Sequence, residues 1–505
     1  MRTRTIVIVL VAVVLVALTA FYFLRPQPAA PAPLVPVPPP DYWPTDGWRT
    51  VTPEEQGLDS AALAEHLRLL RDEGAAIDSL LIIRDGDIVV DAYFAPYDGT
   101  FPHDVASVTK SFTTTLIGIA AAQGKLDLDA PVLSYFPDRT IANVDARKQA
   151  MTVRHLVGMV NGFESGCLEG DAPTLDAMRA NPDWVQHSLD RPMVKAPGKA
   201  WCYDSPGMHI LSAILQEATD MTEADFARQY LFEPLGIEEF TWESDPQGYT
   251  HGWGDLHLFP RDAAKLGLLF LNGGVWDGEQ IVPREWVNEA VSGQAPAGDD
   301  WYGYGWWLGD DSFWAAGRGG QTVRAIPAFN AIVVVTAGDF DFDQLEPLLQ
   351  ASAVSPTEPL PANPEGTAAL QAALADLVQP ATPYPVTSPS PLAEAIAGRR
   401  YVFGDDAAQA IDLAALTVAF PSASEGLMTV EGRFIEYSWP FGLDGVYRQG
   451  ADGRAMRGYW SDEQTLVLEM FDVGGLTYRA RFEGDRLILT SDMFPGQLEG
   501  VAPAV

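Results

Sequence analysis

Cysteine is nearly absent from this chain: Cys167 and Cys202 are the only two in 505 residues. Two cysteines cannot build a disulfide scaffold, and their separation matches no zinc site. They are compatible with one disulfide closing a loop of 34 intervening residues, and equally with two buried free thiols. Histidine is sparse too, and the seven present show no His-Glu-x-x-His spacing, so the zinc-peptidase pattern is missing. No Gly-x-Ser-x-Gly turn occurs, which excludes the nucleophile elbow of an α/β-hydrolase. The glycines at 317, 319 and 320 lack the lysine of a phosphate-cradling loop. Positive charge is scarce as well, with 32 Lys and Arg against 68 Asp and Glu and a formal charge of −36. Such a surface repels nucleic acid. No metal or organic cofactor is called for.

What is present is a chain able to fold. Its apolar fraction of 47% supports sizeable cores, and 505 residues suit two domains with appendages. Arg2 and Arg4 precede an apolar run from Ile6 to Leu24, broken only by Thr19 and Tyr22. At about 1.5 Å per residue that run spans roughly a bilayer's hydrocarbon core. A cleaved signal peptide is the competing reading, but the small-residue cleavage pattern is poor, so an uncleaved anchor over 1–25 is expected. The arginines before the span favour a cytoplasmic N-terminus and an exported bulk. The expected location is therefore membrane-anchored and extracytoplasmic, with secretion after signal cleavage as the alternative. Eight of the fifteen residues from Pro26 to Pro40 are proline, so 26–47 reads as an extended stalk.

The first folded domain is expected over 48–352, beginning near Trp48. Ser60 to Glu73 carries a helical period. The runs Leu80–Ile83 and Ile88–Val90, around Asp85-Gly86-Asp87, read as a β-hairpin. Helical patterns follow from Ser107, Pro206 to Thr219, Glu223 to Leu231 and Arg261 to Leu271. Strands return at Tyr304 to Leu308, Phe313 to Ala316 and Ala331 to Thr336. Strands at both ends with helices between predict one sheet closed by the two ends of the sequence, an α+β layout. A proline-rich stretch over 353–395 brackets one short helix and reads as a linker. Beyond it, alternation from Leu476 to Phe482, a turn at Glu483-Gly484-Asp485, and Leu487 and Leu489 predict hairpins of an all-β domain over 396–505.

The chemistry concentrates in Ser107-Val108-Thr109-Lys110. Residues i and i+3 share a helix face, so Lys110 can take the Ser107 proton without a histidine. A base lysine has to be neutral for part of the time, a state favoured by burial and nearby cations. Ser111 to Gln123 reads as a buried helix whose N-terminus favours an alkoxide or oxyanion at Ser107. Tyr203-Asp204-Ser205 and Arg318-Gly319-Gly320 then follow in order.

That order resembles the penicillin-recognising serine hydrolases, in the branch of class C β-lactamases, related esterases, D-aminopeptidases and nylon-oligomer hydrolases. Thr152-Val153-Arg154-His155-Leu156 and Leu268 to Val275 with Trp276-Asp277-Gly278 add to the match, which covers about Trp48 to Asp339. The resemblance implies a β-lactamase-like fold: an antiparallel sheet with helices and a helical subdomain. It implies Ser107 as nucleophile, Lys110 as base and Tyr203 as proton relay, against a packing role for that tyrosine. It also implies that Ser205 bonds Lys110 or the substrate, an N-cap being an equally good use. Arg318 would bind a substrate carboxylate or tune Tyr203 and Lys110, or else be a surface arginine. Gly319 and Gly320 would admit a substrate to the backbone, and the amides of Ser107 and Gln321 would form the oxyanion hole. Arginine rather than lysine opens the third motif, and Ser205 replaces an asparagine. Both departures favour an esterase or amidase on small ester, amide or peptide substrates over a D,D-peptidase or an efficient β-lactamase. A non-catalytic acylated receptor is the rival from another class.

Overall fold

The computed structural model describes residues 37–503 apart from 166–170, 356–357, 380–381, 384–385, 387–390, 405–412, 433–435, 451–453, 472–475 and 492–493. The expected anchor and Cys167 lie outside the described residues. Among the described residues, no helix is long and apolar enough to cross a membrane.

The strand Ile77–Arg84 is buried at all eight positions, as expected of a nearly continuous apolar run with both faces covered. Leu81 and Ile83 point into one core, while Leu80 and Ile82 point into another. Its hairpin partner Asp87–Tyr93 follows a two-residue turn at Asp85 (φ 51°) and Gly86 (φ 87°), so Asp87 belongs to the strand and not to the turn. On the other side Ile77–Arg84 pairs antiparallel with Ala331–Ala337, which closes the sheet from both ends of the sequence. The eight-stranded sheet continues through Gln321–Ile326, Phe313–Gly317, Trp307–Leu308, Asp300–Tyr302 and Ala295–Ala297.

Helices cover both faces. Ser60–Asp72 packs one face with Glu346–Ser352 and Pro364–Leu377. The other carries Thr109–Ala122 and Pro260–Leu271, and Ser205–Thr219 packs on Thr109–Ala122 within the same larger core. Pro364–Leu377 falls within the stretch expected to be a linker. Its Leu370, Ala373 and Leu377 instead complete the core beneath Ser60–Asp72, and Arg68 Nη2 donates to Ala369 O at 2.8 Å. The stalk also ends sooner than its proline content suggests. Trp43 packs on Trp276 at 5.0 Å between centroids, and Trp276 Nε1 donates to Thr45 Oγ1 at 2.9 Å.

The C-terminal region forms one ten-stranded sheet from Arg400–Phe403 to Phe494–Val501. Its neighbours run antiparallel, and a parallel pairing of Phe441 with Met456 closes it into a barrel. Tyr401, Phe441, Met456 and Phe482 fill the interior. Trp439 is buried there, while Tyr459 stays on the surface. The barrel meets the first domain through Phe471, which stacks on Tyr97 at 6.3 Å and stands edge-on to His103 at 6.1 Å.

Candidate active site

Ser107 sits in the 3₁₀ turn Ala106–Val108 that runs directly into the helix Thr109–Ala122. Several bonds fix the turn. Val105 N donates to Leu256 O at 3.0 Å, Ala106 N to Asp104 Oδ1 at 2.7 Å, and Thr109 Oγ1 to Ala106 O at 2.5 Å. Ala106 is held at φ 47°, a left-handed conformation that is uncommon for a residue with a side chain and that turns Ser107 out of the chain's path.

Lys110 is 1% exposed and its Nζ lies 2.8 Å from Ser107 Oγ. The same amine donates to Trp253 O at 2.7 Å and rests 4.8 Å from the Tyr203 ring centroid. No carboxylate among the described residues forms an ion pair with it. The three residues expected to carry the chemistry therefore converge, and Trp253 joins them unforeseen.

The hydroxyls of the nucleophile helix explain how it is held. Ser111 Oγ donates to Gly305 O at 2.6 Å, Thr113 Oγ1 to Gly252 O at 2.8 Å, and Thr114 Oγ1 to Tyr304 O at 3.0 Å. Each satisfies a loop carbonyl that would otherwise be buried unpaired. Gly305, at φ 83°, admits the helix so closely that a Cβ there would lie 2.4 Å from Thr114 Oγ1. This is why the expected strand Tyr304 to Leu308 shrinks to Trp307–Leu308.

Tyr203 is half-buried and stacks on Trp307 at 6.3 Å, and Trp201 stands edge-on to both. Behind them Tyr302 is fully buried, and burial next to Tyr203 pushes its phenol well above the ordinary range. The Tyr203 hydroxyl bonds to no described residue. Its backbone is set by Asp204, which accepts a bidentate pair from Arg191 at 2.7 and 3.0 Å and a bond from Asn161 Nδ2 at 2.9 Å.

Ser205 departs from expectation. It is the first residue of Ser205–Thr219, the cap position falls on Asp204, and the serine hydroxyl neither caps the helix nor reaches Lys110. Trp253 O occupies the acceptor position on the lysine instead.

Arg318, Gly319 and Gly320 form the turn between Phe313–Gly317 and Gln321–Ile326. Arg318 is exposed, and its guanidinium bonds to no described residue. Gly319 (φ 80°) and Gly320 (φ 96°) supply backbone shapes that side chains avoid. A Cβ on Gly320 would lie 2.1 Å from Phe340 O, so this glycine makes room for the protein's own chain and not for a substrate. Gln321 is 1% exposed, with its amide Nε2 on Arg318 O at 3.1 Å and its Oε1 accepting from Ala337 N at 3.1 Å. The glycine that borders the nucleophile is Gly317, where a Cβ would lie 3.0 Å from Ser107 N and 3.0 Å from Gln321 Cβ. The two residues expected to supply oxyanion donors thus flank one point.

Cys202, next to Tyr203, is in the disulfide form, and the described residues contain no free cysteine. His251 and His257 take separate roles. His251 Nδ1 pairs with Asp255 Oδ2 at 2.7 Å and its ring stacks on Trp184 at 4.7 Å. Burial would raise the Asp255 carboxyl, but the bond and charge of His251 outweigh it and hold it below the usual range. His257 lines a cavity of about 260 Å³ between the two domains, with Asp104, Tyr437 and Phe471. No group of His, Cys, Asp and Glu able to hold a metal occurs among the described residues.

A buried lysine on a serine at a helix start, inside a mixed sheet-and-helix domain, belongs to a serine hydrolase. The Beta-lactamase family model matches residues 63–354, more than half of the chain, and the chain belongs to that family. It is 24% identical over 253 residues to the 6-aminohexanoate-dimer hydrolase of Paenarthrobacter ureafaciens, covering 48% of this chain and 64% of that protein. It is 28% identical over 145 residues to Esterase EstB of Burkholderia gladioli, covering 27% of this chain and 37% of the esterase. The chain thus spans less than two thirds of either relative's length. The fold is similar to that of EstCE1, described as a hydrolase with promiscuous acyltransferase activity, with a TM-score of 0.50 and 15% identity over 59% of this chain and 99% of that one.

Proposed function

We propose that this protein hydrolyses small carboxylic esters, and amides more slowly, through an acyl-enzyme on Ser107. The contact of Lys110 Nζ with Ser107 Oγ at 2.8 Å carries the reading. Lys110 takes the hydroxyl proton as Oγ attacks the carbonyl carbon. The amides of Ser107 and Gln321 receive the developing oxyanion. Tyr203, whose ring packs under the amine, passes the proton to the leaving group and then helps a water release the acyl group. Trp201 and Trp307, both half-buried beside Tyr203, offer an apolar wall, which favours esters with an apolar acyl or alcohol part.

The esterase and dimer-hydrolase relatives support this class of substrate. Arg318, exposed at the turn beside the site, supports a second reading in which the substrate also bears a carboxylate, as cell-wall peptides and β-lactams do. We place the enzyme outside the cytoplasm on a membrane anchor, on the strength of the apolar run Ile6 to Leu24 and the prolines after it. Fractionation of cells carrying the full chain tests the location, which requires the protein in the membrane pellet. A panel of p-nitrophenyl esters and a chromogenic cephalosporin tests the activity. Ester turnover lost in Ser107→Ala supports the proposal, and equal turnover by both proteins refutes it.

A further inference from the structure

Glu223 opens the helix Glu223–Ala227 and is 0% exposed, and neither carboxyl oxygen completes a hydrogen bond, although the Ser212 and Thr113 hydroxyls lie near enough to favour its charged form. It lies beneath the Gly252–Trp253 segment, where a Cβ on Gly252 would stand 3.2 Å from Glu223 Oε2 and 3.0 Å from Ser212 Cβ. Ser212 Oγ likewise completes no hydrogen bond. Thr113, one helical turn beyond Lys110 on the nucleophile helix, gives its hydroxyl to Gly252 O at 2.8 Å. The next carbonyl, Trp253 O, is the one that accepts from Lys110 Nζ. One short segment therefore ties an idle buried carboxyl to the amine that faces the nucleophile.

We propose that Glu223 is a positioning residue that sets the Lys110 anchor through its own protonation. Protonated, it leaves the Thr113 hydroxyl on Gly252 O, and Trp253 O stays under the lysine. Ionised by loss of its proton to solvent, it draws the Thr113 and Ser212 hydroxyls as donors, releases Gly252 O and loosens the neighbouring Trp253 carbonyl. A buried carboxylate without donors is costly enough to compel this exchange. Burial pushes the Glu223 carboxyl up to about 7, with the Ser212 and Thr113 hydroxyls pulling the other way, so the exchange falls in the physiological range.

The other titratable groups on the elements packed around Glu223 are Lys110 on the nucleophile helix, His209 and Glu217 on Ser205–Thr219, Asp225 on the same helix as Glu223, Arg228 and Tyr230 on Arg228–Phe232, and Glu243, Asp245, Tyr249, His251 and Asp255 on the segment 243–255. His209 is held by Asp245 at 3.0 Å, His251 by Asp255 at 2.7 Å, and Asp225 by Thr222 at 2.7 Å. None is bonded to Glu223.

The inference rests on the Ser107–Lys110 reading, and its test separates the two. The rate at which a fluorophosphonate labels Ser107 in the full chain is followed on both sides of pH 7. Relative to Glu223→Gln, the wild-type rate is expected to fall roughly fivefold on the alkaline side, the worth of about one hydrogen bond. Ser212→Ala removes a donor from the carboxylate and moves the inflection to higher pH. With a chromogenic ester the change falls on kcat and leaves KM in place, because Glu223 lies behind the cleft. Should Glu223→Gln fail to fold, Ser212→Ala carries the test, since its hydroxyl completes no bond while Glu223 is protonated. Superimposed wild-type and Glu223→Gln profiles, or an unmoved inflection in Ser212→Ala, overturn the proposal. Absence of labelling in wild type at every pH overturns the Ser107–Lys110 reading itself.

Discussion

Gly317→Ala adds one methyl group at the point where the oxyanion donors are proposed to meet. Gly317 has φ −134° and ψ 158°, extended backbone that any residue adopts, so the substitution costs nothing in dihedral strain. Its cost is steric. The new Cβ would lie 2.7 Å from Val105 O, 3.0 Å from Ser107 N and 3.0 Å from Gln321 Cβ. Two of those three neighbours are backbone atoms of the nucleophile turn, so the turn or the strand has to give by a few tenths of an ångström. Overpacking of this kind costs about 1–3 kcal/mol of stability. Complete loss of an oxyanion donor costs roughly 3–4 kcal/mol of transition-state stabilisation. A donor displaced but not lost should cost part of that, about 10- to 100-fold in kcat, with KM less affected. Steady-state kinetics on a p-nitrophenyl ester, beside thermal melting, measure both terms. If kcat stays within about twofold while the protein melts as wild type, the oxyanion site does not lie at Gly317.

Other outcomes follow from the same geometry. Lys110→Arg is expected to abolish ester turnover, because the guanidinium does not give up a proton and cannot fit between Ser107 Oγ and Trp253 O; near-normal kcat would remove the lysine from the mechanism. Asp204→Ala leaves the Arg191 guanidinium, whose side chain is 7% exposed, without its carboxylate, and should cost about 3–5 kcal/mol in denaturant unfolding. The Glu223 carboxyl, up to about 7 in the fold, holds its proton more tightly folded than unfolded. Stability should therefore decline as pH rises from the ordinary glutamate range towards 7, by about 3 kcal/mol at most, and Glu223→Gln should flatten that decline. His103 answers to pH too. Burial pulls its imidazole down, but the bond to Asp78 and that carboxylate's charge outweigh it and leave it above the usual range. Its contribution is complete below the unfolded pKa of about 6.5 and is lost as pH climbs through the folded value. Melting curves of Asp78→Asn, read against wild type across that window, should show the difference shrinking as pH rises.

Local pattern made some parts of this protein legible and others not. The apolar runs around Asp85-Gly86 announced the hairpin, and Ser107-x-x-Lys110 announced a face-sharing pair, because both depend on neighbours in sequence. The helix Pro364–Leu377 was legible as one short helix between prolines, but its place in the core was not, since the buried-face spacing of Leu370, Ala373 and Leu377 does not say which surface they cover. Trp253 was invisible as a lysine anchor because it acts through a backbone carbonyl, which every residue carries. The role of Gly317 depends on a neighbour more than 200 positions away, and the chain offers no local sign of it. One clue was readable: Ser111, Thr113, Thr114 and Thr115 crowd an otherwise apolar helix, and buried hydroxyls need carbonyls to serve. Glu223 gave no such sign, since a glutamate opening a helix is ordinary.

The central claim is that Ser107 becomes acylated with Lys110 as its base, and intact mass during turnover tests it most directly. Rapid acid quench of the full chain with a slow ester should show one added acyl group, mapped by peptide sequencing to Ser107 and absent from Ser107→Ala. An adduct on another residue, or undiminished turnover without any adduct on Ser107, would contradict it.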